Sequence, residues 1–249
     1  MIDTLPTFPP LLSGHRISSN EQPLGFARAG AASGELGAGD LVWSEETNRL
    51  RFALVCEPDV PRDRCIEILF VTMVAAGDAI GALVPPEISV TYQWPSVLLM
   101  NDARFGFADL VISDEETDGI PDWMAVSLDV QMMPDFVDPN PGETADITTM
   151  WDEGCGDVTR NELLESIARH TVALIHTWSE DGFSPIHQQW MGRLFTNQKM
   201  AGAVENAVNG GLVGLDESGN AILSGDKDAD GFPVLDALDV LRRDWTKNE

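Results

Sequence analysis

The segment from Pro61 to Leu83 limits the fold most. Behind Pro61, the residues Ile66, Leu69, Phe70, Met73, Val74 and Ile80 recur at helical spacing, which predicts one long helix opened by a proline. Its most apolar part, Ile68 to Ala76, is broken by Thr72 and ends at Gly77 and Asp78. That is well short of the roughly 18 residues a membrane span needs, so no transmembrane helix is expected. A chain of 249 residues can bury a substantial core around such a helix.

Strand patterns surround it. Leu41 to Ser44 is a short strand candidate, and Leu50, Phe52, Leu54 and Cys56 alternate with Arg51, Ala53 and Val55, the two being joined by the polar turn Glu45 to Arg49. Ile88, Val90 and Tyr92 alternate next, then Val97 to Met100 and Phe105 to Ile112 about an Asn101-Asp102 turn, then Met124 to Val130. A helix is expected from Gln22 to Ala32, where Gly30, Gly34, Gly37 and Gly39 break it. Pro134 to Gly156 reads as a long polar loop. Thr159 with Glu162 forms a capping box opening an amphipathic helix to Gly182, and Pro185 to Phe195 predicts one more. Beyond Gly202, Leu212–Leu215, Ala221–Leu223 and Phe232–Leu235 read as short strands. The pattern is α+β: a main domain over residues 1–200, with a mixed sheet and packed helices, and a small β-rich C-terminal domain over 201–249.

Charge narrows the partners. A formal net charge of -26 repels nucleic acid and anionic lipid, and between Arg104 and Arg160 there are fourteen Asp or Glu and no Lys or Arg. All three lysines, Lys199, Lys227 and Lys247, lie late in the chain. The N-terminus lacks a basic segment followed by an apolar block, which points to the cytoplasm. Cys56 and Cys65 sit in apolar runs and read as reduced core thiols, whereas Cys155, in a Gly-rich loop, is the exposed one. The four histidines show no metal-ligand spacing. Asp226 to Gly231 imitates the start of a calcium loop, but Ala237 stands where the loop needs a Glu, so a hairpin turn is expected there.

The run Gln93-Trp94-Pro95-Ser96-Val97-Leu98-Leu99-Met100-Asn101-Asp102-Ala103-Arg104-Phe105-Gly106 resembles the K-W-P-N-D segment, with its following N-G-R-K-hydrophobic-G, of the biotin/lipoate protein ligases. Ser18-Ser19-Asn20 resembles that family's S-T-N, and Gly39 to Thr47 its strand leading into a nucleotide loop. Arg160 to Leu164 and Gly182 to Ile186, with Trp190, are similar to its closing helices. The resemblance implies a class II synthetase-like catalytic domain. It also implies ATP with biotin or lipoate as ligands, a biotinyl or lipoyl carrier protein as partner, and pairing of two copies through the sheet.

The family condenses a carboxylate with ATP and passes the acyl group to a carrier lysine, using an arginine-rich glycine loop and two lysines to neutralise the gathered anions. This sequence departs from the family at those places. Only Asn48 and Arg49 remain between Thr47 and Leu50, Gln93 replaces the first lysine, Ser96-Val97 replaces the Asn-Asp pair, and Arg104 takes the place of the second lysine as a planar fork. Loss of each such oxyanion partner costs about 3 kcal/mol, so family-type adenylation is not expected and no catalytic residue is assigned. The candidate ligand-binding residues are Arg104, Gln93, Trp94, Ser96, Asn101, Gly106 and Arg49. Arg104 is either an anion-binding group at a cleft mouth or a surface arginine paired with Asp102 or Asp109. Three functions follow: a ligase-like protein that binds a small carboxylate or a carrier protein without adenylation, an active acyl ligase or acyltransferase relying on Arg104, and an acidic interaction module without a small ligand.

Overall fold

The computed structural model describes residues 5–134, 146–195, 200–208, 210–224 and 231–245. A seven-stranded mixed sheet forms its centre, built from β1 (Ser13–Ile17), β2 (Asp40–Ser44), β3 (Arg49–Cys56), β4 (Val90–Gln93), β5 (Val97–Met100), β6 (Ala103–Ile112) and, after a small hairpin of β7 (Glu116–Thr117) and β8 (Ile120–Pro121), β9 (Met124–Gln131). The spatial order is β1-β2-β3-β9-β6-β5-β4. Only β1 and β2 run parallel; the other neighbours are antiparallel.

Register sorts side chains to two faces. Tyr92, Leu98, Gly106, Val130 and Leu50 lie opposite one another across five strands on one face, while Gln93, Val97, Phe107, Asp129 and Arg51 share the other. The first face packs on α2 (Glu67–Leu83), α3 (Arg160–Asp181) and α4 (Ser184–Gly192), with the Tyr92 hydroxyl donating to the Met73 carbonyl at 3.0 Å. Every residue from Ile68 to Ala76 in α2 is buried. By length and composition, 62–83 would suffice to cross a membrane, more than the short apolar run suggested; here that helix is the centre of the core, which is why it is apolar on all sides. Its buried Glu67 carboxylate accepts two hydrogen bonds from Arg64, at 2.9 and 3.0 Å, and one from the Trp178 indole.

The second face is covered on its β1–β2–β3 side by α1 (Pro23–Ser33), whose Ala27 and Ala31 pack with Val42, Ala53, Val55 and Ala125. This helix does not break at Gly30: it runs on to Ser33 and stops at Gly34, with a φ of 74°. Gly30 is there for space, since a Cβ would lie 2.6 Å from the Leu36 side chain.

The C-terminal segment is less β-rich than its sequence suggested. A helix α5 (Gly202–Ala207) precedes the hairpin β10 (Leu212–Leu215) and β11 (Ala221–Leu223), and the third expected strand is a single bridge from Phe232 to Ala221 followed by helix α6 (Val234–Trp245). Val234, Ala237, Leu238 and Leu241 form one buried stripe, a helical period that outweighs the short Phe232–Leu235 apolar run. These residues, with Val204, Leu212 and Leu223, belong to the same hydrophobic cluster as α2 and the sheet. The calcium-loop imitation at Asp226 to Asp230 lies outside the described residues, as do all three lysines. The expected Pro134–Gly156 loop is described from Asp146, where it runs beside β6: Arg104 N–H donates to the Asp146 carbonyl and Thr148 N–H to the Arg104 carbonyl, each at 2.9 Å.

Candidate functional site

Between α1 and α6, the second sheet face is left bare as a cleft of about 520 Å³. Arg51, Phe107, Asp109, Val111, Ser127 and Asp129 form its floor, Gln22 to Gly25 and Arg28 of α1 one wall, and Arg242 of α6 the other. Strand alternation places them: Arg51 stands opposite Asp129, Asp129 opposite Phe107, and Ser127 opposite Asp109.

Most of the charge on this floor is neutralised from within. Asp129 receives Arg49 Nε at 2.9 Å on one oxygen and Arg51 Nε at 2.9 Å on the other. Arg51 Nη1 also reaches Glu46 at 2.9 Å. Glu46 lies in the link between β2 and β3, which is held shut from two sides. Arg160, at the start of α3, donates to the carbonyls of Ser44 and Glu46, and the Asn48 carbonyl accepts the N–H groups of Met132 at 2.9 Å and Met133 at 3.0 Å. Arg242 clamps Asp109 through Nε at 2.9 Å to both oxygens and through Nη2 at 2.6 Å. Arg28 differs. It is the one arginine among the described residues that makes no hydrogen bond or ion pair, and its exposed side chain lines the cleft.

The residues selected from the sequence do not gather around this space. Trp94 is fully buried in the core, donating its indole N–H to the Gly219 carbonyl at 2.9 Å and packing edge-on with Phe232. Ser96 is also fully buried, and its hydroxyl has no hydrogen-bond partner. Gly106 faces α2, backed by Leu98 and Val130. Asn101 sits in the β5–β6 turn with a φ of 46°, its amide donating to Glu153 at 2.7 Å. Gln93 is 3% exposed on the cleft's face of the sheet, outside its lining. Arg49 reaches the site through Asp129. Arg104 lies on the same face, one end of β6 away, and pairs with Asp146 at 3.0 Å and Asp244 at 3.7 Å. Neither expected partner is used: Asp109 belongs to Arg242, and Asp102 occupies the turn.

Arg51, Asp129, Asp109, Arg28 and Arg242 carry the cleft instead. A signal existed for two of them, because Arg51 and Asp129 are charged residues that alternate with buried apolar ones inside their strands. Burial holds the thiols in their protonated form, Cys65 and Cys155 being buried and Cys56 partly so. Burial pushes Cys56 up to about 12 and Cys65 to about 11. Cys155, expected to be exposed, is buried at 2% because its segment folds back onto Met150 and Val158, and desolvation raises its thiol as well.

Comparison with known proteins agrees with this architecture. The family model for the biotin/lipoate A/B protein ligase family matches residues 8–192. A biotin–[acetyl-CoA-carboxylase] ligase from Paracoccus denitrificans is 24% identical over 203 residues, covering 80% of this chain and 82% of that protein. A biotin protein ligase-like protein of unknown function from Silicibacter sp. TM1040 is 34% identical, covers 93% of this chain and 98% of its own, and superposes with a TM-score of 0.79. The biotin protein ligase of Aquifex aeolicus shares the fold at 16% identity, covering 87% of this chain and 94% of its own with a TM-score of 0.65. With three quarters of its length matched by the family model and its sheet and helices arranged as in these structures, the chain belongs to the biotin/lipoate A/B protein ligase family.

Proposed function

We propose that this family member binds a small carboxylate in the α1–α6 cleft and has lost family-type, ATP-dependent adenylation. The unpaired guanidinium of Arg28 carries the reading. In a chain of net charge -26, every other arginine on the described cleft is occupied by the protein's own acids, so an incoming carboxylate finds its counter-charge at Arg28. Leu24, Phe107 and Val111 beside it offer apolar surface to a hydrocarbon tail.

The residues present do not fit a triphosphate. The β2–β3 link consists of Glu45 to Asn48 alone and is tied down by Arg160, while Arg49 and Arg51 are spent on Asp129. Ser96 and Val97, which stand where the resemblance implies an Asn-Asp pair, are buried in the core and present no carboxylate. By the same reading, a biotinyl or lipoyl-type carrier domain is the protein partner, offering its acyl group at the cleft.

The test titrates biotin, lipoate and octanoate against the purified protein, with and without ATP and Mg²⁺. A ligand that binds only the folded state raises apparent stability, so one carboxylate stabilises the protein without nucleotide. Carboxylate-dependent exchange of pyrophosphate into ATP refutes the loss of adenylation. Absence of any shift, with a protein partner captured by its acidic surface, refutes the carboxylate site.

A further inference from the structure

The cleft has one wall that is attached differently from the rest. Helix α1 packs flat on the sheet face, whereas α6 buries an apolar stripe in the core and reaches the cleft's strands through its last turn, where two contacts of opposite polarity meet β6. A helix cation, Arg242, sits on a sheet anion, Asp109, and also donates to the Leu110 carbonyl at 2.6 Å. A helix anion, Asp244, sits on a sheet cation, Arg104, at 3.7 Å. The helix's backbone ties are at its other end, where Phe232 bridges Ala221 and the Val234 N–H donates to Asn220 Oδ1 at 3.1 Å. No sheet hydrogen bond runs through α6, so it can leave the sheet without breaking any strand pairing.

We propose that α6 is a strap over the cleft, hinged at Phe232–Val234 and latched to β6 by the Arg242–Asp109 and Asp244–Arg104 pairs. Latched, Arg242 ends the cleft and the chain's own Asp244 and Asp146 occupy the Arg104 guanidinium. Unlatched, the cleft lengthens along β6, and Arg104 loses one of the carboxylates that compete with a ligand. Among its described side chains, Val234, Ala237, Leu238 and Leu241 are buried and Val240 packs beside them. Opening of this helix alone requires less free energy than global unfolding, and its charge pairs, with Arg242 at 34% side-chain exposure, are reached by salt. What the strap uncovers rests on the carboxylate reading; whether it moves does not.

Amide hydrogen exchange on the intact chain compares residues 234–245 with α2 and α3. In about 1 M NaCl, where the screening length falls to about 3 Å, exchange in α6 accelerates while α2 is unchanged. The double variant Asp109→Asn, Arg242→Gln, which leaves no unpaired buried charge, accelerates α6 about tenfold at low salt. Exchange in α6 at the α2 rate under every condition overturns the strap. Calorimetry with octanoate then reads the gating. Asp244→Asn binds severalfold tighter than the parent if the latch competes, and equal affinity overturns the gating while leaving a mobile helix. No octanoate binding by either protein refutes the carboxylate reading, and the exchange data still decide the motion.

Discussion

Trp94 donates its indole N–H to the carbonyl oxygen of Gly219, 2.9 Å away and 125 residues later in the chain. Gly219, at a φ of 87°, sits so close to α2 that a Cβ would lie 2.5 Å from the Phe70 ring. The bond therefore rivets the β10–β11 turn to the core. Trp94→Phe keeps most of the apolar volume but leaves a buried carbonyl unpaired, a loss of about 1–3 kcal/mol. Urea denaturation followed by tryptophan fluorescence measures it. An unchanged midpoint would show that Trp94 serves something other than the fold.

Asp129 is shared by Arg49 and Arg51, with side-chain exposures of 18%, 10% and 11%. Removing it takes the shared carboxylate from two largely buried guanidinium groups and leaves Arg51 only its Glu46 contact, so Asp129→Ala costs about 3 kcal/mol. Arg51→Ala costs less, because Arg49 still neutralises Asp129. The order of the two midpoints in chemical denaturation is the check, and a reversed order contradicts the charge-sharing geometry.

These residues also mark how far the sequence can be read. The strands and α3 are legible because period-two alternation and the Thr159–Glu162 box are local signals, and the box forms with both of its hydrogen bonds. The cleft floor is half legible: Arg51 and Asp129 are charged residues alternating with the buried apolar ones of their strands, but their pairing depends on register between β3 and β9, 78 residues apart. The wall is not legible. Arg242 meets Asp109 across 133 residues, and α6 hides behind an apolar run short enough to pass for a strand. Motif likeness drew attention to Trp94, Ser96 and Gly106, which are buried and lie outside the lining of the cleft.

The thiols give a pH prediction. Burial raises Cys56 to about 12 and Cys65 to about 11 from a value of 9.0. The folded state thus holds protons that the unfolded state releases above about pH 9, so this contribution to stability is complete below that pH and is lost as pH rises toward 12. Thermal midpoints fall across this window, and Cys56→Ala lessens the slope. At pH 8 a thiol reagent reacts slowly with the native protein and promptly once urea is added; equal rates would mean the thiols are open.

At the acid end, hydrogen bonds from the Thr159 side chain and backbone hold the Glu162 carboxyl below its usual 4.5. Its contribution is present above about 4.5 and lost as pH falls through the lowered value. Thr159→Ala removes the cap of α3 and costs about 1 kcal/mol at neutral pH. The variant's stability deficit shrinks as the pH falls through that lowered value and the parent's carboxyl takes up a proton; urea titrations at pH 7 and at successively lower pH compare the two.

Arg28 decides between a ligand cleft and an inert groove. It has no partner to lose among the described residues and its side chain is exposed, so Arg28→Ala leaves the unfolding midpoint within about 0.5 kcal/mol of the parent. A carboxylate bound through it loses a charge-assisted hydrogen bond worth about 1.5–3 kcal/mol, roughly a tenfold or greater weakening. Arg28→Lys keeps the charge but gives up the planar fork and falls between the two. Calorimetry with octanoate on the parent and both variants, beside denaturation curves for each, separates binding from folding. Equal octanoate affinity in all three proteins removes Arg28 from the site and, with it, the observation on which carboxylate binding rests.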